Sequence, residues 1–131
     1  MASVFTKIIA GEIPAHRIAE DQAHLAFLDV NPLVKGHTLV VPKREVDYYF
    51  DLSDGELGAL NAFAKRVAAA VFREVPCLRI GVAVIGLEVP HVHMHLVPLN
   101  RMGDIDFGKE RVSFTEEEFA KTAARIRRVF L

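Results

Sequence analysis

From His91 to Leu96 the chain alternates strictly, His-Val-His-Met-His-Leu. A period of two marks an extended strand, because successive side chains leave a strand on opposite faces. Val92, Met94 and Leu96 then face a core, and His91, His93 and His95 face something that needs imidazoles. Neighbouring histidines along such a strand stand roughly 7 Å apart, two residues at about 3.3 Å each. Imidazole is the side chain whose free base is abundant near neutral pH, so it can be nucleophile, base or metal ligand.

The remaining elements are arranged around that strand. Phe5, Ile8 and Ile9 sit at helical spacing in Val4 to Ala10, and Gly11 ends the turn. Segments 16–20, 24–30 and 37–43 have strand character, separated by Asp21-Gln22 and by the turn formers of Asn31-Pro32-Leu33-Val34-Lys35-Gly36. Ser53 and Glu56 have the spacing of a capping box, and Leu57, Leu60, Phe63, Ala64, Val67, Val71 and Phe72 form one apolar stripe that Pro76 terminates. Segment 78–85 is rich in branched residues and reads as a buried strand. Segment 91–98 is the next strand, and Thr115 with Glu118 repeats the capping-box spacing before a C-terminal helix. About five strands with short connections and one long helix predict an α+β fold, an antiparallel sheet covered by helix.

With 131 residues, 51% of them hydrophobic and 25% charged, the chain reads as one domain over 1–131, with no linker, repeat or low-complexity tract. The net charge of −1 gives no reason to expect a nucleic-acid or anionic-membrane partner. Arg125, Arg127 and Arg128 read as the solvated face of the last helix. Cys77 is the single cysteine, which favours a cytoplasmic location, and the start of the chain lacks the pattern of a signal peptide.

Two chemistries compete for the histidine face. A metal site would need a third ligand, from His37 or Glu88, because a strand does not easily aim three histidines at one ion. Against it stand the lone cysteine and the absence of a His-Glu-x-x-His pattern. The other reading is nucleophilic catalysis by an imidazole.

The order of several segments favours the second. His91-Val92-His93-Met94-His95 followed by apolar residues resembles the signature of the histidine-triad (HIT) family, in its Hint-like branch. Residues 5–14, Ala26-Phe27-Leu28-Asp29-Val30-Asn31-Pro32 and Gly36-His37-Thr38-Leu39-Val40-Val41-Pro42-Lys43 resemble the family's other blocks, in the same order. The resemblance implies a HIT-like fold, a homodimer, and hydrolysis at the α-phosphate of purine nucleotide conjugates such as phosphoramidates. It makes His93 the nucleophile of a nucleotidyl-histidine intermediate, with His91 and His37 fixing its tautomer and His95 binding phosphate oxygens. Asp29 matches the ribose contact, and Phe5, Ile8, Phe27, Val30 and Leu39 match the base pocket. The alternatives are a non-catalytic nucleotide-binding regulator and a dinucleoside-polyphosphate hydrolase. His16 and His24 match no catalytic position and read as surface residues.

This chain departs from the family's pattern in three places. Many members hold a structural zinc through cysteines near the start and a histidine after Pro-Lys; here those places hold Ser3, Thr6 and Glu45, so no metal and no other cofactor is expected. Leu87 and Glu88 replace the polar pair that contacts phosphate before the triad. Glu88 either turns away into a structural ion pair, the preferred expectation, or is protonated and serves as a general acid. Segment 80–85 is more apolar than the family's Asn- and Gly-rich loop.

Overall fold

The computed structural model describes residues 2–131, so Met1 of the expected 1–131 domain lies outside the described residues. Five antiparallel strands form the sheet: β1 (Arg17–Glu20), β2 (His24–Leu28), β3 (Thr38–Pro42), β4 (Arg79–Ala83) and β5 (Met94–Leu99), in the order β1-β2-β3-β5-β4. Three α-helices accompany them: α1 (Val4–Ile9), α2 (Asp54–Glu74) and α3 (Glu116–Val129). This is the α+β antiparallel architecture that the sequence predicts.

Strand register gives the sheet two different faces. Ala26, Val40 and Met94 are cross-strand neighbours, and with Ile18, Leu28, Val92 and Leu96 they pack under α2 and α3. α2 contributes Leu60, Phe63, Ala64, Val67, Ala70 and Val71 to this core. Each large side chain so buried is worth about 1.5–3 kcal/mol. Leu25, Phe27, Leu39 and Val41 leave the opposite face and pack with Phe5 and Ile8 of α1. α1 is much shorter than α2 and leaves part of its face open, and the functional cleft lies there.

Caps set the helix limits. Ser53 and Glu56 form the expected reciprocal capping box, as do Thr115 and Glu118, each satisfying two backbone N–H groups. α2 ends at Val75, whose extended backbone is the conformation that a following proline requires. Gly36 turns the chain into β3 at φ +87°, and a Cβ there would stand 2.8 Å from Val75 Cγ2. Both facts require glycine at this position.

Several expectations need correction. The histidine strand begins only at Met94: Val92 N–H donates to the Val46 carbonyl and His91 N–H to the Val89 carbonyl, so residues 91–93 approach the sheet as an irregular lead-in. Their alternation survives because Val92 still packs into the core. β4 is an exposed edge strand, not a buried one, with Val82 57% accessible and Leu78, just before it, 75%. Phe72 leaves the apolar stripe and is half exposed. β2 stops at Leu28, which puts Asp29 and Val30 in the following turn. His24 is buried, stacked on Phe63 and bonded to Asp21, and His16 is stacked on Phe119 beside Glu116. Neither is a simple surface residue.

Candidate active site

The four histidines of the expected site are all buried, and their partners fix where each proton sits. Leu33 N–H donates to His37 Nδ1 at 3.0 Å, so the His37 proton is on Nε2. Nε2–H donates to His95 Nδ1 at 2.9 Å, which leaves the proton of neutral His95 on its own Nε2. His91 Nε2–H donates to the Pro42 carbonyl at 2.8 Å, so its Nδ1 is bare and accepts from Ser3 Oγ at 2.7 Å. His93 Nδ1–H donates to the His91 carbonyl at 2.8 Å, and its Nε2 keeps a free lone pair.

The site therefore holds one imidazole with an unshared electron pair and one with an available N–H. Burial, then the charges of its neighbours, holds His37 down to about 3 and His95 down to about 4, so both are neutral at physiological pH. Burial also lowers His91, against the opposing pull of the Pro42 carbonyl and Glu45.

These connections alter two expected contacts. His37 orients His95, not His93, and His91 reaches His93 through its backbone carbonyl while its ring points toward Ser3. The cause is geometric. Leu39 pairs with His95 across the strands, so His37, two residues earlier on the same face, lies beside the far end of the histidine row.

His93 and His95 open onto a cleft of about 350 Å³. Its walls include Phe5, Leu39, Ile85 and Val89, and its rim includes Asp29, Asn31, Leu87 and Glu88. Phe5 stands edge-on to His93, 4.9 Å between ring centres. Ile8 and Phe27 lie behind Phe5 in the apolar layer instead of on the wall. Val30 is 63% exposed and outside the cleft, which corrects its place in the base pocket. Asp29 Oδ1 accepts from Asn31 N–H as a turn cap, and its Oδ2 stands 3.6 Å from His37 Nε2. Burial raises the Asp29 carboxyl above the usual aspartate value, although the Asn31 N–H, Arg111 and His93 pull it the other way. Glu88 is exposed, and among the described residues it enters no ion pair, so the expected structural pair is not formed.

Phe107 and Arg111 also line the cleft, and sequence reasoning missed both. They lie in a segment between the short 3₁₀ turn at Met102–Ile105 and α3. Val112 N–H donates to the Pro32 carbonyl and Arg111 Nη1 to the Asn31 carbonyl, which docks this segment against the turn after β2. Phe107 then packs edge-on to His95 at 4.8 Å. No periodicity marks such residues. Only the tertiary contact brings them in.

Two groups invite a test for metal binding. Asp29, His37 and His95 offer atoms within 4.8 Å of one another. An ion on His37 Nε2 would have to displace the proton that the Leu33 bond places there, so this trio does not fit a metal. Ser3, Thr6 and Glu45 form the second group around His91. Thr6 Oγ1 and Ser3 N–H both donate to Glu45 Oε1, at 2.6 and 2.7 Å, and Ser3 Oγ donates to His91. Two neutral hydroxyls, one carboxylate and one occupied imidazole do not make the thiolate and imidazole set of a structural zinc. The Ser3 N–H, with Thr6, holds the Glu45 carboxyl at about 2, so it is ionised and accepts both bonds.

An antiparallel sheet with one helix-covered face, and a histidine row opening onto a cleft on the other, defines an α+β domain built around an imidazole site. The HIT domain matches residues 10–102, and the chain belongs to that family. It is 41% identical over 99 residues to a HIT-like protein of Methanocaldococcus jannaschii, covering 72% of this chain and 77% of that one. It is 36% identical over 99 residues to an adenosine 5'-monophosphoramidase of Schizosaccharomyces pombe, covering 75% and 74%. Among solved structures, a zinc-bound histidine triad family protein of Mycobacterium smegmatis superposes with a TM-score of 0.80 at 31% identity, covering 98% and 96%.

Proposed function

We propose that the protein is a nucleotidyl hydrolase that cleaves purine nucleotide conjugates at the α-phosphate, with phosphoramidates as the preferred class. The observation that carries this reading is the chain of tautomers. It leaves His93 Nε2 bare toward the cleft and presents an N–H of His95 beside it. Similarity to the S. pombe phosphoramidase supports the same chemistry.

His93 Nε2 attacks the α-phosphorus, the bond to the leaving group breaks, and the leaving group departs with its electron pair and takes a proton from solvent. His93 becomes a cationic nucleotidyl-imidazole whose Nδ1–H stays on the His91 carbonyl. His95 Nε2–H donates to a phosphate oxygen and offsets the charge that develops there. Water then attacks phosphorus and gives up a proton to solvent. The bond from phosphorus to His93 Nε2 breaks with its electron pair returning to the imidazole, and the nucleoside monophosphate leaves neutral His93 behind. The base lies against Phe5 and Leu39, and Asp29 accepts from a ribose hydroxyl. No metal takes part.

The test is a quenched-flow reaction with an adenosine phosphoramidate followed by mass spectrometry. The adduct is expected on His93, and His93→Ala should lose nearly all turnover while retaining adenosine monophosphate. An adduct on another residue would overturn the assignment.

The same reading includes a homodimer, a cytoplasmic location and no nucleic-acid or membrane partner. Phe72, Leu78, Val82 and Leu87, all exposed around β4 and the end of α2, support the dimer. No helix among the described residues is long and apolar enough to cross a membrane.

A further inference from the structure

We propose that Arg111 is a phosphate-binding residue of this cleft, delivered from the segment before α3. This assignment rests on the nucleotide reading above and adds to it a contact that lies outside the triad. Arg111 lines the same cleft as His93, His95 and Asp29. Its Nη1 is committed to the Asn31 carbonyl at 2.7 Å, and its guanidinium stands 5.7 Å from the centre of the Phe107 ring. The side chain is thus held from two directions. Among the described residues, Nε and Nη2 have no hydrogen-bond partner and Arg111 forms no ion pair. Those two nitrogens form the side-on edge of the guanidinium, the edge that binds two oxygens of one anion.

The chemistry of the ligand follows from what else converges there. His95 offers an N–H, and His93 offers a lone pair that needs an electrophile. An anion that accepts from an arginine fork and an imidazole while exposing an electrophilic centre is a phosphoryl group. A carboxylate could meet the same donors, but its carbon is a poor electrophile for the His93 lone pair. Arg111 also lies near enough to help hold His37 and His95 neutral, a field that favours negative charge at the same place.

The experiment is calorimetric titration of the wild-type protein, Arg111→Gln and Arg111→Lys with adenosine monophosphate and with adenosine. Gln loses the charge and the fork and is too short to keep the 2.7 Å bond to the Asn31 carbonyl in place, so adenosine binding reports whether the cleft itself survives the change. The monophosphate should bind Arg111→Gln about ten- to a hundredfold more weakly, as expected for losing a charged hydrogen bond. Adenosine should bind all three proteins alike, and Arg111→Lys should fall between for the monophosphate. Equal losses for both ligands would make Arg111 a prop for the cleft, and no loss for either would make it a bystander; each result overturns the proposal. A wild type that binds neither ligand would remove the nucleotide reading itself, and the Arg111 assignment with it.

Discussion

Ser3 Oγ accepts from Thr6 N–H as the cap of α1 and donates to His91 Nδ1, so one hydroxyl ties the first helix to the histidine row. α1 carries Phe5 into the cleft, and the His91 carbonyl sets the proton of His93. Removing that oxygen should therefore act on stability and turnover together. Ser3→Ala loses a cap worth about 1 kcal/mol and leaves a buried imidazole nitrogen without a donor, a further ~1–3 kcal/mol. A thermal melt should show the loss, and turnover should fall while Ser3→Thr largely restores both. An unchanged melting temperature would mean that water replaces the hydroxyl at no cost. Glu88 is a different case, because none of the described residues forms an ion pair or hydrogen bond with its exposed carboxylate. Glu88→Gln should leave phosphoramidate turnover within about tenfold, roughly 1.4 kcal/mol in the barrier. A hundredfold loss with a changed pH profile would make it the general acid. At this scale the sequence was informative wherever chemistry was concentrated in a short motif. The buried grouping of His37, His91, His93 and His95 was legible, as was Asp29 at the rim. The tautomer chain was not, because Leu33, Pro42 and the His91 carbonyl take part through backbone atoms that carry no sequence signal. Arg111 was invisible because its position depends on a turn 80 residues away in the chain.

The helices were readable because each carries its own limits. α2 has a capping box at one end, a proline just past the other, and an apolar stripe between. Strands carry less of this information, since their limits depend on partners. β5 starts late because Val40 is paired with Met94 at the end of that ladder, and the N–H groups of His91 and Val92 find other acceptors. β4 has the composition of a central strand but lies at the edge, where it pairs with β5 alone. An apolar edge strand is a template for another chain. Exposed Ala59, Ala62 and Ala69 on α2 leave room for close approach nearby, whereas Ala70 belongs to the core. A second copy applied about a twofold axis would cover such a surface with the same surface. Light scattering at micromolar concentration should give twice the 14.6 kDa of one chain. Val82→Lys should shift the mass to the monomer without unfolding it. A monomeric wild type would count against the pairing.

At the scale of the whole molecule, the buried histidines make stability depend on pH. His37 is held at about 3 and His95 at about 4, mainly by burial, and His91 is lowered for the same reason. In the unfolded chain each titrates near its ordinary value, about 6.5. Between about pH 4 and 6.5 the unfolded state therefore binds more protons than the folded state, and stability rises with pH across that window. Above it both states are neutral and the contribution is complete. As pH falls through it, each histidine costs roughly 1.4 kcal/mol per pH unit until the folded group accepts its proton. Two of them together remove about 2.7 kcal/mol per unit, a large part of a typical net stability of about 5–15 kcal/mol. Asp29 acts in the opposite sense, because its raised carboxyl binds a proton in the folded state first. Urea denaturation followed by circular dichroism should give a nearly constant midpoint from about pH 7 to 8 and a steep decline below about pH 6. His37→Asn should be less stable at pH 7.5, yet lose less on acidification, with the slope lower by about one proton. If its slope equals that of the wild type, His37 is not the buried neutral group described, and the tautomer chain that begins at Leu33 would have to be redrawn.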